Sequence, residues 1–407
     1  MNFLRLFITI CTVAAFNAAY ADDSNLKLLA ESNLAFGINM YQQLRKPNSN
    51  LFFSPFSIYE TLSMVNDGAE GETASQIKEV LRPATGLDIR QGVKNANILI
   101  ENMQKDGQGE IAVANSIWPD RDYHFLERYI SLLKDIYGVR IEPVDYKKED
   151  TREKAQKKIN QWVEEKTRGK IKNLISKDML DEDTRMVLTN AIYFKGNWET
   201  TFDKAATRKL PFHRDNGSDV TADFMNRRGV FGYTEVEKAQ LLEIPYKGDK
   251  TSMVIVLPDS SSEIRQIEDK LSVVQLSDWM SKMQYRKVDA VIPKFKMDYG
   301  ILLNEPLESL GMKQAFDKKR ADFSGMDGCN AQKCYHWLYV SKGIHKAFIS
   351  VDEEGTEAAA ATSVHMAELT SVGPPTPVFK ADHPFLFFIR ERDNGIVLFM
   401  GRFATPQ

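Results

Sequence analysis

The spacing of apolar residues predicts helices in the first part of the chain. Between residues 24 and 45, apolar side chains recur every three or four positions, the period of a helix that buries one face. Ser54-Pro55-Phe56-Ser57 interrupts this pattern, and a second apolar stripe at helical spacing comes after it. A longer amphipathic helix is expected over residues 151–176, where apolar residues at helical spacing form one face and many charged residues form the other. The N-terminal part is therefore predicted to be mainly helical.

Strands are expected where apolar runs are short and end at turn residues. Met186–Phe194 is almost continuously apolar, which predicts a strand covered on both faces. Similar short runs end at Pro258 and Pro293, and a hairpin is expected between Phe385 and Phe403 with its turn at Asp393-Asn394-Gly395. Helices that precede strands with interspersed helices predict an α+β fold with large mixed or antiparallel sheets.

One segment between two of these strands is compatible with two environments. Residues 353–369 are mostly small, with one Gly and no Pro, and lie between the strand-like runs Ile344–Val351 and Pro384–Ile389. Such residues suit an exposed loop, and they are also small enough to enter the middle of a sheet. The segment is therefore predicted to be a loop that changes partners.

The first residues predict secretion. Arg5, an apolar run from Leu6 to Phe16 and Ala19-Tyr20-Ala21 form the pattern of a signal peptide over residues 1–21. The net charge of −3 gives no reason to expect a nucleic-acid partner, and no other apolar run suggests a membrane span. We expect one domain over residues 22–407, secreted to the extracellular space.

Secretion would expose the cysteines to an oxidising environment, in which disulfides form. Cys329 and Cys334 remain after signal removal, and we expect a short-loop disulfide between them, with two free thiols as the alternative. Adding His336 gives only three candidate ligands, so no metal site is expected. Asn216-Gly217-Ser218 lies in a polar stretch and is expected to carry a glycan.

The chain carries no recognisable catalytic motif. It has no nucleophile elbow, zinc-protease motif, P-loop or dinucleotide-binding glycine pattern, and its six histidines have no metal spacing. We therefore expect a protein that is not an enzyme and needs no cofactor.

Two polar residues interrupt apolar strands. Asn190 lies in the middle of one strand and His345 in another, and burying such groups costs free energy unless they are hydrogen-bonded. They are either two independently satisfied core residues, or they meet Ser54 and Ser57 in one buried network where a sheet must be able to part.

At these residues the chain resembles the serpin family over nearly everything after the signal peptide. Six segments carry the resemblance, in the same order along the chain: Asn50–Ile58, Gly68–Thr73, Ile159–Val163, Asn190–Trp198, Val351–Ala358 and Ala381–Phe387.

The resemblance implies a fold of three β-sheets and about nine helices with an exposed reactive-centre loop, here about residues 353–378. It also implies a monomer whose partner is a serine protease. The protease attacks the loop, a covalent acyl-enzyme forms, and the freed loop inserts into the central sheet. The family also contains non-inhibitory carriers and binding proteins, which remain the alternative.

The hinge of this loop favours the inhibitory interpretation. The resemblance places it at Glu353, Gly355 and the residues immediately after them, and an inserted strand alternates its side chains between two faces. With Thr356 as the first buried residue, the inward residues are all small and uncharged, and Glu357 is the one charged outward residue. The inward set is Thr356, Ala358, Ala360 and Thr362.

Other family positions carry over individually. Ser54, Ser57, Asn190 and His345 match the shutter, the region beneath the strands that separate. Trp198, Lys294 and Glu353 match the breach, the region at the top of the sheet. Lys294 and Glu353 are expected to form an ion pair there.

The family's usual hinge-to-scissile spacing places the reactive bond between Leu369 and Thr370. The loop is about four residues longer than in common members, and if the extra residues lie before the bond, cleavage shifts toward Val372 or Gly373. The bond between Met366 and Ala367 is a further candidate. No Lys or Arg occurs between Glu354 and Phe379, which argues against a trypsin-like target. A chymotrypsin-like, elastase-like or cathepsin G-like protease is expected.

A glycosaminoglycan partner has weak support. The densest basic stretch, between Lys147 and Lys158, is interrupted by acidic residues and is more typical of a solvated helix face.

Overall fold

Helices dominate the first third of the chain. The computed structural model describes residues 24–105, 110–139, 141–330, 332–335, 337–356 and 375–406. The helices are α1 (24–44), α2 (Pro55–Asn66), α3 (Gly71–Leu81), α4 (Ile89–Lys105), α5 (Glu127–Leu132), α6 (Glu149–Lys166), α7 (Ile264–Lys270), α8 (Val273–Ser281), α9 (Asn304–Ser309) and α10 (Ser324–Asp327). A π-helical turn, Leu133–Tyr137, continues α5.

The long amphipathic helix is shorter than its sequence pattern predicts. Helix α6 ends at Lys166, and the prediction of helix to residue 176 is wrong. Arg168 and Gly169 both have positive φ angles, 52° and 75°, which reverse the chain. The Thr167 hydroxyl donates to the Val163 carbonyl at 2.7 Å and closes the helix end.

Strands make up most of the remainder. They are β1 (Leu51–Phe53), β2 (Glu110–Pro119), β3 (Met186–Asn197), β4 (Arg208–His213), β5 (Asp219–Val236), β6 (Ala239–Pro245), β7 (Thr251–Pro258), β8 (Gln284–Pro293), β9 (Phe295–Leu302), β10 (Lys342–Val351), β11 (Gly355–Thr356), β12 (Val378–Lys380), β13 (Phe385–Glu391) and β14 (Val397–Phe403). The predicted C-terminal hairpin is confirmed as β13 and β14.

Within the described residues the strands form two sheets. The larger has nine strands in the order β1-β14-β13-β7-β6-β5-β8-β12, with β4 also paired to β5. The smaller has five strands in the order β2-β3-β11-β10-β9, with an additional pairing of β3 to β10. The α+β class is confirmed. The resemblance implies three sheets, but the described strands form two, because the long strand β5 pairs with both β6 and β8 and joins them in one sheet.

Strand β3 is buried on both faces, as its continuous apolar sequence predicts. Leu188 and Ile192 pack into the main core, which lies between the two sheets and the N-terminal helices. Val187 and Ala191 point the other way, into a second core covered by α6. Because successive side chains alternate between the faces, any polar residue in β3 must find its partners inside one of these cores.

No helix of the described residues is long and apolar enough to cross a bilayer.

Candidate functional site

The five-stranded sheet is closed along most of its length and divided at one end. Strands β3 and β10 pair directly and in parallel from Val187–Lys342 to Tyr193–Phe348. Beyond that point β11 lies between them, with Thr356 opposite Gly196 of β3 and Val351 of β10. The first residues after β10 therefore already occupy a place in the sheet.

Gly355 fits this place because its backbone touches the neighbouring strand. A Cβ atom at residue 355 would lie 2.1 Å from the Gly196 carbonyl oxygen and 2.7 Å from the Asn197 Cα. No side chain can be accommodated at that distance, so this close approach requires glycine.

Thr356, the next residue, is fully buried. Its hydroxyl lies 2.7 Å from the Tyr246 hydroxyl, and either group can donate. The Tyr246 ring in turn stacks on Trp198, with ring centroids 4.6 Å apart and an interplanar angle of 14°. Thr356 is thus held by a packed aromatic pair and by the strand pairing of β11.

Trp198 also fixes the backbone that leads into β11. Its indole N–H donates to the Asp352 carbonyl at 2.9 Å, and its backbone N–H donates to the Glu354 carbonyl at 2.9 Å. Two donors from one residue therefore satisfy carbonyls on both sides of Glu353 and hold the turn between β10 and β11.

The Glu353 carboxylate anchors the same turn. It accepts from Lys294 at 2.9 Å and from the Thr207 hydroxyl at 2.6 Å, and only 3% of the residue is exposed. Burial acts to raise the pKa of Glu353, but the hydrogen bonds from Lys294 and Thr207 outweigh it and leave the pKa below its ordinary value. The structure brings Trp198, Lys294 and Glu353 together, as the resemblance implies.

A second group of polar residues lies beneath the direct pairing of β3 and β10. We call it the shutter cluster, and its members are Ser54, Ser57, Asn115, Asn190 and His345, all buried. The Asn190 amide nitrogen lies 2.7 Å from the Ser57 hydroxyl and 2.8 Å from the Asn115 side-chain oxygen. The four residues named from the sequence therefore lie in one network rather than being satisfied separately.

The hydrogen bonds of His345 define its protonation. Its Nε2 atom accepts from the backbone N–H of Ser54 at 3.1 Å, so the proton of a neutral ring is on Nδ1, which donates to the Asn190 side-chain oxygen. Burial lowers the pKa of His345 to about 3, which keeps the ring neutral. His345 and Asn190 are also register partners across β10 and β3.

Ser54 connects the cluster to the larger sheet. Its hydroxyl accepts from the Ser57 N–H at 3.1 Å, which caps helix α2, and donates to the Leu398 carbonyl of β14 at 2.6 Å. The shutter cluster therefore joins both sheets to the start of α2.

Asn115 was not predicted as a site residue. It lies on β2 directly opposite Asn190, accepts from the Ser57 hydroxyl at 2.9 Å, and donates to the Glu60 carboxylate at 2.7 Å. The sequence carried a signal, because Asn115 is an amide within an apolar run just as Asn190 is.

Glu60, also not predicted, is a buried carboxylate at the edge of the shutter cluster. It is 4% exposed and accepts from the Asn97 amide at 2.5 Å as well as from Asn115. Burial raises its pKa to about 7, against the opposing effect of these two amides. Within the part of the chain that the structure describes, no Lys, Arg or His pairs with Glu60.

Several predicted features lie outside the described residues. One is the signal peptide over residues 1–21. The others are most of the inward hinge and the two residues of the reactive bond, which are Ala358, Ala360, Thr362, Leu369 and Thr370. Of the hinge, the structure describes Glu353, Gly355 and Thr356.

The structure also locates the surface residues named from the sequence. Cys329 and Cys334 are bonded through their sulfur atoms, with Cα atoms 5.5 Å apart. Asn216 is exposed in the turn between β4 and β5. In the basic stretch, Lys154 pairs with Asp150 and Lys158 with Glu142, as expected of a solvated helix face. The described residues contain no group of side chains that could hold a metal ion.

Comparison with known proteins gives a consistent result. The family model described as serpin (serine protease inhibitor) matches residues 31–406. Human leukocyte elastase inhibitor is 36% identical over 392 residues, which cover 94% of this chain and 100% of that protein.

Solved structures share the fold over the same length. Native protease nexin-1, crystallised with heparin, has 32% sequence identity and a TM-score of 0.82, and the match covers 94% of this chain and 100% of that one. Human thyroxine-binding globulin in complex with its hormone has 27% identity and a TM-score of 0.83, with the same coverage.

These names correct the expectation drawn from missing catalytic motifs. A plain statement that the chain is not an enzyme is inadequate, because the relatives are named as inhibitors, a class defined by what it does to an enzyme.

Replacing Asn115 with Ala should destabilise the protein. The change removes the donor to Glu60 and the acceptor for Ser57 and Asn190, and leaving buried polar groups unpaired costs about 1–3 kcal/mol. The check is the urea midpoint of the first unfolding transition. The exposed Asn216→Ala variant is the control and should move by less than about 0.5 kcal/mol. Equal shifts in the two variants would contradict the assigned role of Asn115.

Glu60 should make stability depend on pH in a defined direction. Its folded pKa of about 7 lies above the unfolded value near 4.3, so the folded state holds a proton that the unfolded state releases. Relative to Glu60→Gln, the wild type should therefore lose about 3 kcal/mol of stability as pH rises from about 4.5 to 7.

His345 contributes with the opposite sign. Because its pKa is lowered to about 3, stability is lost as pH falls below the unfolded value near 6.5. Comparing wild type with Glu60→Gln cancels this shared contribution. Unfolding midpoints between about pH 4.5 and 7.5 provide the measurement, with the exposed Glu79→Gln as control, and parallel curves for wild type and Glu60→Gln would refute the assignment.

Proposed function

The chain belongs to the serpin family, and we propose that it inhibits serine proteases as a suicide substrate. In this proposal the protease cleaves the loop and becomes covalently attached as an acyl-enzyme. The cleaved loop then enters the five-stranded sheet between β3 and β10. The observation that carries the proposal is β11, where Gly355 and Thr356 already lie between these two strands.

The hinge composition supports complete insertion. The inward residues from Thr356 onward are small and uncharged, and no Pro occurs in the loop before residue 374. A proline would remove a backbone donor from the sheet, and an unpaired inward charge would cost several kcal/mol on burial. The hinge has neither obstacle.

The target is proposed to be a protease with an apolar primary pocket. Leu369 is the proposed residue before the scissile bond and Thr370 the one after it. The absence of Lys and Arg between Glu354 and Phe379 argues against a trypsin-like enzyme. A relative of this chain is named for inhibiting leukocyte elastase, which supports an elastase-like or chymotrypsin-like target.

Secretion is also proposed, with removal of residues 1–21 and a glycan on Asn216. The support is the signal-peptide pattern and the exposed position of Asn216. Expression in a secreting eukaryotic host should yield protein in the medium that begins at Asp22, as N-terminal sequencing would detect. Protein retained in the cells with an intact N-terminus would contradict the proposal.

A non-inhibitory carrier is the second candidate. Human thyroxine-binding globulin, solved in complex with its hormone, has the same fold at a TM-score of 0.83. The two candidates differ in the outcome of loop cleavage, since a carrier whose loop does not insert would release the protease.

Chymotrypsin, leukocyte elastase and trypsin should separate the two candidates. We expect the first two to form complexes that survive SDS, with the C-terminal peptide released after Leu369, and trypsin to form none. Gel electrophoresis and mass spectrometry of the peptide are the measurements. Cleavage by every enzyme without a complex would favour the carrier.

Thr356→Arg should convert the inhibitor into a substrate. Thr356 is buried against Tyr246, and an arginine there would bring an unpaired charge into the sheet. The stoichiometry of inhibition should rise at least several-fold. Glu357→Arg, one residue along and predicted to face outward in the inserted strand, is the matched control and should change it little. Equal effects would show that the proposed phase is wrong.

A further inference from the structure

A cavity of about 850 Å³ lies beside the shutter cluster and has no part in the proposed inhibition. It is bordered by α4, β2, residues 134–139 and α6, with α2 at one side. The cavity shares one residue, Asn115 of β2, with the shutter cluster.

The exposures of the lining residues define its depth. Ile98 is 48% exposed and lies at the mouth, whereas Glu60 is 4% exposed and lies at the inner end. The walls between them are mixed: polar and charged side chains alternate with six apolar ones, which are Ile100, Ile111, Val113, Ile136, Val139 and Trp162. The cavity is therefore a mixed pocket that offers apolar contacts on its walls and ends on a carboxylate.

That carboxylate lacks a compensating charge. Glu60 accepts one hydrogen bond from Asn97 and one from Asn115, and no cationic side chain of the described residues pairs with it. An ionised carboxylate has about four acceptor sites, so two remain for a ligand. Burying an unpaired charge is costly, and a cation placed there would remove this cost.

We propose that this cavity binds a small organic ammonium ion with an apolar body, whose NH₃⁺ group meets the Glu60 carboxylate. The three N–H donors of a primary ammonium suit the free acceptor sites, and an alkyl or aryl body suits the walls. A metal ion does not fit, because it needs several oxygen ligands and Glu60 is the one carboxylate at the inner end.

Other charged groups face the cavity from the surrounding elements. Helix α4 contributes Lys94 and Glu101, residues 134–139 contribute Lys134, Asp135 and Tyr137, and Glu142 and Lys166 complete the border. Burial, and then the nearby Asp67 carboxylate, raise the pKa of Tyr137. Since β2 adds no charge to the lining, Glu60 decides the sign of the charge at the inner end.

The test uses hexylammonium as the probe and the full secreted chain labelled at isoleucine methyl groups. The methyl resonances of Ile98, Ile111 and Ile136 should shift saturably on addition of the probe, while the remote Ile244 should not. Because the pKa of Glu60 is about 7, its ionised fraction rises about tenfold from about pH 6 to pH 8, and the Kd should fall by about as much.

Hexan-1-ol and hexanoate are the control ligands, because they have the same six-carbon chain as hexylammonium with a neutral or an anionic head group. Hexanol should bind at least about tenfold more weakly than hexylammonium at about pH 8, and hexanoate more weakly still. Equal binding of hexanol would overturn the proposal in favour of an apolar cavity without charge selection. Preferential binding of hexanoate would overturn it in favour of an anion site formed by the border lysines.

Glu60→Gln should weaken hexylammonium binding at about pH 8 by about tenfold and abolish its pH dependence, whereas the distant Glu79→Gln should leave both unchanged. If Glu60→Gln does not fold, the ligand and pH comparisons on the wild type still decide the outcome. Binding is measured without any protease, so failure here is independent of the proposed inhibitory function.

Discussion

The direct, parallel pairing of β3 with β10 is the constraint on which the rest of the structure depends. The two strands close the five-stranded sheet from Val187 to Tyr193, yet they separate beyond that point to admit Gly355 and Thr356. In the proposed inhibition, closing and parting are competing arrangements of the same two strands. The side chains around them must satisfy the closed arrangement without making separation prohibitively costly.

Buried polar groups hold the closed arrangement in one defined register. Asn190 and His345 face each other across the two strands, and their partners lie on α2 and β2. Each hydrogen bond contributes only about 1 kcal/mol net, but an orphaned group costs more, so the closed register is strongly specified. A purely apolar seam would lack these directional bonds and would not fix the register in this way.

Much of the fold was predictable because strong periodicity and distinctive segments determine it. Strand β3 and the C-terminal hairpin were expected from apolar runs and turn residues. The end of α6 was not, since it depends on Arg168 in a left-handed conformation that sequence rarely signals. Asn115 and Glu60 were missed because their importance arises from contact across strands and helices that are distant in sequence.

The contact between Thr356 and Tyr246 bears on the kinetics of loop entry. A free hinge would have to search for the gap, and its first contact would carry the entropy cost of closing a loop before neighbouring bonds could compensate. Here Gly355 and Thr356 supply a preformed nucleus. In the proposed inhibition, loop entry would then be propagation, in which each residue adds to an ordered neighbour, and its rate would depend on how fast β3 and β10 separate.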